Sequence, residues 1–183
     1  LNKSRLPLEK LAANYKDQSE LINQAYLKLG LIAYNQGSTN NAIAYYKACL
    51  KNNPSPKESE NALIALKEIY IDDLGDPDGY FSIKEEITGS SYSNAGKDSL
   101  NYRVAELKYE DGNYTGAIAA FTNYIQKYPK GIFIISAYYF RGESHFISKD
   151  YSEALDNYDY IVNRGRSQHY EDALLKAALI SYN

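Results

Sequence analysis

The sequence predicts an all-α chain of antiparallel helix hairpins stacked into a solenoid, with about three full repeats and a half-repeat at each end. Three observations predict it. First, two long segments align in register. One covers residues 24–30, continues through 41–46 and ends at Asn53-Pro54; the other covers 99–108, continues through 116–121 and ends at Tyr128-Pro129. Ala42 and Ala117 stand 75 residues apart, and so do Pro54 and Pro129. Two landmarks displaced by one distance mark a repeat. Second, apolar residues recur at helical spacing, as in Ala62, Leu63, Ala65, Leu66, Ile69 and Tyr70. Third, 183 residues with 44% hydrophobic and 23% charged content suit one folded, water-facing domain.

The elements follow in order. Residues 1–16, centred on Pro7-Leu8-Glu9-Lys10-Leu11, read as the second half of a copy whose first half is missing. The first full copy is 23–54. A degenerate copy fills 57–88: a helix over 57–71, the turn Asp76-Pro77-Asp78-Gly79, and a short helix over 80–87 capped by Asp78. Residues 89–96 form the longest stretch without helix signal and read as a loop. The next copy is 98–129. The one after it, 135–166, is displaced by 37 residues, as Ala117 to Ala154 shows. Residues 171–183 begin a last copy. The reading is therefore a single solenoid domain over 1–183. A chain that starts at Leu1 and ends in a helical segment at Tyr182-Asn183 is expected to be a fragment of something longer.

The physical logic of the pattern is plain. Gly30, Ala105, Gly142 and Ala178 are small, so that the two helices of a hairpin can close, and Ala42, Ala117 and Ala154 answer them from the second helix. Tyr46, Phe121 and Tyr158 fill the space between successive hairpins. Pro54 and Pro129 end helices because proline cannot continue them. One hairpin cannot bury its own apolar face, whereas a stack buries a continuous core. The half-repeats at the ends are expected to leave apolar surface exposed.

These residues resemble the tetratricopeptide repeat family. The first copy carries the pattern as Tyr26, Leu29, Gly30, Ala42, Tyr46, Cys49 and Pro54. The 98–129 copy carries Val104, Ala105, Ala117, Phe121 and Pro129, with Asn101 in place of a large residue. The 135–166 copy carries Tyr138, Gly142, Ala154 and Tyr158, with Arg141 and Arg166 departing. The resemblance implies a right-handed superhelical solenoid whose first helices line a concave groove. The 37-residue spacing resembles the longer-looped arrays of bacterial cell-envelope proteins, which implies a periplasmic or envelope location.

Composition excludes several function classes. The net charge of −3 offers no electrostatic attraction for nucleic acid or an anionic membrane. No apolar run reaches the roughly 18–20 residues of a membrane span. Cys49 is the single cysteine, so no internal disulfide or multi-cysteine metal site can form, and it reads as a small buried hydrophobe. His145 reads as a packing or helix-surface residue, and His169 as a solvated loop or helix-start residue. They are 24 residues apart without zinc-ligand spacing. Asp72-Asp73-Leu74-Gly75-Asp76-Pro77-Asp78-Gly79 resembles a calcium loop until Leu74 falls on the first ligand position, which it cannot fill. Phosphate-binding glycine loops are absent. No metal, cofactor or catalytic residue is expected, and the chain is not expected to be an enzyme.

The informative excess is tyrosine, 20 residues in 183. Tyrosine offers a large rigid face with a polar tip and is enriched in recognition surfaces. If the family geometry holds, the residues facing the groove are Leu27, Leu31 and Tyr34; Tyr102, Glu106 and Tyr109; and Tyr139, Glu143 and Phe146. Tyr34, Tyr109, Phe146 and Tyr182 occupy equivalent places. The groove type that grips a C-terminal carboxylate needs asparagine partners, which Lys28, Tyr102 and Arg103 lack here. The expected function is a non-catalytic scaffold that binds a peptide or protein segment in this Tyr-rich groove. The alternatives are a glycan-binding module that uses exposed tyrosine platforms, and a purely structural or self-assembling segment.

Overall fold

The computed structural model describes residues 2–14 and 18–182; Leu1, Tyr15 and Lys16 of the first expected half-repeat and Asn183 of the last lie outside the described residues. The described residues form α1 (Asn2–Asn14), α2 (Ser19–Asn35), α3 (Thr39–Lys51), α4 (Pro56–Glu68), α5 (Pro77–Thr88), α6 (Asn94–Glu110), α7 (Tyr114–Lys127), α8 (Ile134–Ile147), α9 (Tyr151–Val162) and α10 (Tyr170–Tyr182). A π-helical segment, Ile69–Asp73, continues α4 directly. There is no strand among the described residues. The chain divides into two compact units, Leu1–Ser91 and Tyr92–Asn183.

In the first unit α2 and α3 form the central hairpin, with α1 against α2, and α4 against both α3 and α2. The hairpin closes because Gly30 has no side chain. A Cβ placed there would stand 2.6 Å from Cε1 of Tyr46, whose ring fills the gap. Ala25, Leu29, Ala42, Cys49, Ala62 and Leu66 complete a core from which water is excluded. The connection from α3 to α4 is held by polar groups. Asn52 Nδ2 donates to Asn23 Oδ1 at 2.9 Å, and Asn23 Nδ2 donates to the Asn52 carbonyl and to Glu58 Oε2, each at 3.3 Å. Glu58 closes a capping box with Ser55, and Pro56 opens the helix, where its missing N–H costs nothing.

Two expectations for this unit are corrected. Asp76, not Asp78, caps α5: Gly79 N–H donates to Asp76 Oδ1 at 2.9 Å, and the helix begins at Pro77, which suits the first turn. The loop expected over 89–96 spans only 89–93. Gly89 ends α5 in the left-handed region, at φ 64°, and Ser93 accepts from Gly96 N–H at 3.1 Å, so Asn94, Ala95 and Gly96 already belong to α6. A serine followed by Asn-Ala-Gly carries little helix propensity, and the cap outweighs it.

The second unit contains the hairpins α6–α7 and α8–α9, with α8 against α7 and α10 against α9. Tyr102, Ala105, Ala117, Phe121, Tyr124, Ile134 and Ala137 form one buried cluster; Ala154, Tyr158, Ile161, Ala173 and Ala177 form another. The small residue of α10 that meets its neighbour is Ala177, whereas Ala178 is exposed. The connection from α7 to α8 is held by Asp98, which stands 75 residues after Asn23. It accepts from the Tyr124 hydroxyl and, at 2.7 Å, from Ile132 N–H, while Phe133 N–H donates to the Tyr124 oxygen at 3.1 Å. Along α10, Leu174, Leu175, Leu179 and Tyr182 are exposed.

Much of the tyrosine excess is core. Tyr46, Tyr80, Tyr102, Tyr124 and Tyr158 are all buried. Burial is the main cause that lifts the Tyr102, Tyr124 and Tyr158 phenols well above their ordinary 10.0, with hydrogen bonds from Tyr124 to Asp98 and from Tyr158 to Glu143 adding to it. Burial pushes the Cys49 thiol up from 9.0 to about 11.

Two predictions follow from these contacts. Gly30→Ala forces the Tyr46 ring off its seat and is expected to lower stability by about 1–3 kcal/mol, read as a shifted urea midpoint followed by circular dichroism. An unshifted midpoint would show that the hairpin can open to admit a methyl group. In alkali, the unfolded chain releases thiol and phenol protons near 9.0 and 10.0, before the folded chain does. Above pH 9 the unfolded state therefore holds fewer protons, and stability falls as pH rises. Urea midpoints measured between pH 7 and pH 11 check the sign, and a midpoint that rises with pH would contradict the burial of these groups.

Candidate interaction faces

The first helix of each hairpin carries the expected groove residues. In the first unit Leu27, Leu31 and Tyr34 follow one another along α2 at i, i+4 and i+7, and so share a face. Leu27 is half-buried, Leu31 is 53% exposed, and Tyr34 is half-buried. Interaction with the Asp73 carboxylate first, then burial and the nearby Glu68 and Asp72 carboxylates, pushes the Tyr34 phenol up to about 12.

In the second unit the same register positions are partly consumed by internal contacts. Tyr102 is 6% exposed and stacks on Phe133 at 4.5 Å between ring centroids, edge-on to Tyr124. Glu106 pairs with Arg103 at 2.6 Å, and the same guanidinium reaches Glu110 at 3.0 Å. Tyr109 is half-buried, tilted against Phe140 and edge-on to Tyr114. Tyr139 stacks on His169 at 4.1 Å with the rings within 6° of parallel. Burial, then Glu143, lifts its phenol to about 12. Glu143 is buried; it accepts from the Tyr158 hydroxyl at 2.6 Å and is clasped through both oxygens by Lys176. Phe146 is half-buried and lines an open hollow of about 540 Å³ with Tyr151, Leu179 and Ile180.

His169 corrects an expectation. It stands at the helix start, immediately before α10, as one of its two expected readings has it, but it is half-buried and not fully solvated: besides the Tyr139 stack, its Nε2 lies 3.2 Å from Ser136 Oγ, and burial lowers its pKa. His145 sits with little exposure, its Nδ1 3.5 Å from an Asp150 carboxylate oxygen. Cys49 is buried and free, as its small-hydrophobe reading expects. No group of three or more histidine, cysteine, aspartate or glutamate residues is placed to hold a metal ion among the described residues.

Sequence reasoning missed three participants. Lys176 reaches back from α10 to Glu143, with its ammonium 5.3 Å from the Phe146 ring centre and 6.0 Å from that of Tyr139. His169 covers Tyr139 from the segment before α10. Ile64, 59% exposed on α4, stands 37 residues after Leu27, and the same displacement aligns the buried Ala25, Leu29 and Ile32 with Ala62, Leu66 and Ile69. That displacement, already visible between Ala117 and Ala154, was the signal for Ile64. Nothing in the sequence signals the other two.

Lys176→Met leaves the Glu143 carboxylate buried without its cation and is expected to cost roughly 3 kcal/mol, with most of the loss recovered when Glu143→Gln is added. Urea midpoints for the two single variants and the double variant check this. A harmless Lys176→Met would mean that water screens the pair.

Comparison with known families places one match in each unit. Residues 24–56 match a family model described as tetratricopeptide repeat, and so do residues 98–131. No match was found among curated proteins. The first match covers α2 and α3 and the second covers α6 and α7, the hairpins in which Gly30 meets Tyr46 and Ala105 meets Phe121. The α2–α3 and α6–α7 hairpins are tetratricopeptide repeats.

Proposed function

We propose that the chain is a non-catalytic scaffold that binds a peptide or protein segment on the outward faces of its first helices. Tetratricopeptide repeats generally mediate protein–protein interaction, and solenoid hairpins offer extended faces for it. The observation that carries the proposal is the exposure of large apolar side chains at positions that the hairpin interfaces leave unused, above all Leu31 and Ile64. Half-buried Tyr34 in the first unit, and Tyr109, Phe146 and Glu106 in the second, are the aromatic and polar contributions to those faces. Exposed apolar anchors beside polar groups are the usual anatomy of a recognition patch.

The ring geometry favours a peptide over a sugar. A glycan platform needs flat, open aromatic faces. Tyr109 and Phe140 are tilted by 53°, Tyr139 and Phe140 by 75°, and the face of Tyr139 is covered by His169.

Affinity capture from a lysate of the source organism tests the reading, with captured proteins quantified by mass spectrometry. The baits are wild type, Leu31→Asp/Ile64→Asp, and Glu106→Ala/Tyr109→Ala/Phe146→Ala, each shown by circular dichroism to be folded. The expected result is a protein enriched by wild type and reduced about tenfold or more with one of the variants. Equal enrichment by all three baits would remove these faces from the function.

A further inference from the structure

The faces of the two units are not equally free. In the second unit Tyr102, Tyr139 and Glu143 have internal partners. In the first unit the corresponding positions hold Leu27 and Leu31, and the neighbouring α4 adds Ile64 at the register of Leu27. Aliphatic side chains offer no directional contact, and two of these three are more than half exposed. Their register places them on one face of the packed helices α2 and α4, with Leu31 one turn beyond Leu27 toward the α2 C-terminus.

That face ends in negative charge. Glu68 stands 37 residues after Leu31, at the matching register, and Asp72 and Asp73 follow it on the π-helical segment. All three are exposed. Asp73 is near enough to Tyr34, at the end of the α2 face, to be the largest cause of that phenol's raised pKa. The basic residues of α2 and α4 are Lys28, Lys57 and Lys67. Among the described residues, none of them, and no other cation, makes an ion pair with Glu68, Asp72 or Asp73. The carbonyl ends of two helices add partial negative charge at the same place.

We propose that the Leu27, Leu31 and Ile64 strip docks the apolar face of a cationic amphipathic segment of a partner protein, whose lysine or arginine side chains meet Glu68, Asp72 and Asp73. The inference rests on the reading of first-helix faces as binding surfaces and gives one of them a ligand chemistry. The aliphatic strip accepts leucine-like side chains spaced by one helical turn, as helix-in-groove recognition does. The carboxylates set the orientation of the segment and raise its rate of encounter.

The test uses the full chain and fluorescein-labelled peptides of about 18 residues, long enough to become helical. One peptide combines a leucine face with lysines and the other the same leucine face with glutamates. Fluorescence anisotropy is expected to show saturable binding of the leucine–lysine peptide, weakened by added salt, and at least about tenfold weaker binding of the leucine–glutamate peptide. Glu68→Lys/Asp72→Lys should weaken the lysine peptide about tenfold, whereas Asp156→Lys/Asp159→Lys, which makes the same change in net charge at exposed sites of the other unit, should change it less than about twofold. Leu31→Asp should also weaken it. Equal binding of the two peptides, or equal loss with both charge-reversed variants, would overturn the proposal. If Leu31→Asp/Ile64→Asp abolishes lysate capture while the lysine peptide does not bind, the ligand chemistry is wrong and the binding face stands. If capture is indifferent to every face variant, the face itself is wrong.

Discussion

The fold depends on one close approach, repeated. In three hairpins a residue with little or no side chain lies with an aromatic ring from the partner helix. Gly30 receives Tyr46, Ala105 lies against Phe121, and Gly142 receives Tyr158, where a Cβ would stand 3.0 Å from the ring. The ring fills the gap between the two helices, and Phe121 in addition stacks on Phe140 of the next hairpin, 6.2 Å between ring centroids. A larger residue at the small position would push the helices apart and remove the seat on which the next hairpin packs. Each aromatic ring buried in this way contributes about 1.5–3 kcal/mol of transfer free energy.

The close approach sets distance but not direction. Direction comes from a buried polar group near the start of the first helix. Asn23 and Asp98 hold this position in the two units, and each reaches across to the backbone of the connection that leads to the next hairpin. Their solutions differ chemically. Asn23 pairs with Asn52 and the Glu58 capping box, whereas Asp98 takes the Tyr124 hydroxyl and the Ile132 amide. The common constraint is that backbone groups in a tight, buried connection need partners and that water cannot supply them there.

The backbone plan was legible in the sequence because it rests on identity at fixed spacing. Gly30, Ala42, Tyr46 and Pro54 have counterparts in register, and the degenerate 57–88 copy betrayed itself by apolar periodicity alone. What escaped was set by competition between groups of similar propensity. Asp76 and Asp78 can both cap a helix, and only the placement of Gly79 N–H decides between them. Ser93 overrode a glycine-rich segment because its hydroxyl reached Gly96. Of the face, the choice of helix and register was legible. The occupancy of each position was not, because His169 and Lys176 act on Tyr139 and Glu143 from 30 and 33 residues away, a distance that no local pattern encodes.

That occupancy separates the two units physically. A register position on the first helix is useful for binding only if the fold does not need it. In the second unit the fold does: Tyr102 sits in the core, Tyr139 carries a histidine ring, and Glu143 anchors a lysine and a tyrosine hydroxyl. Freeing any of these for a ligand would expose a buried charge or open a stacked pair, and the ligand would have to offset that cost before gaining affinity. In the first unit Leu31 and Ile64 are already in water. Covering them releases hydrating water without breaking an internal contact, so a ligand there meets only the ordinary costs of association. The same repeat pattern therefore yields one face that the protein has spent on its own stability and one that it has left open.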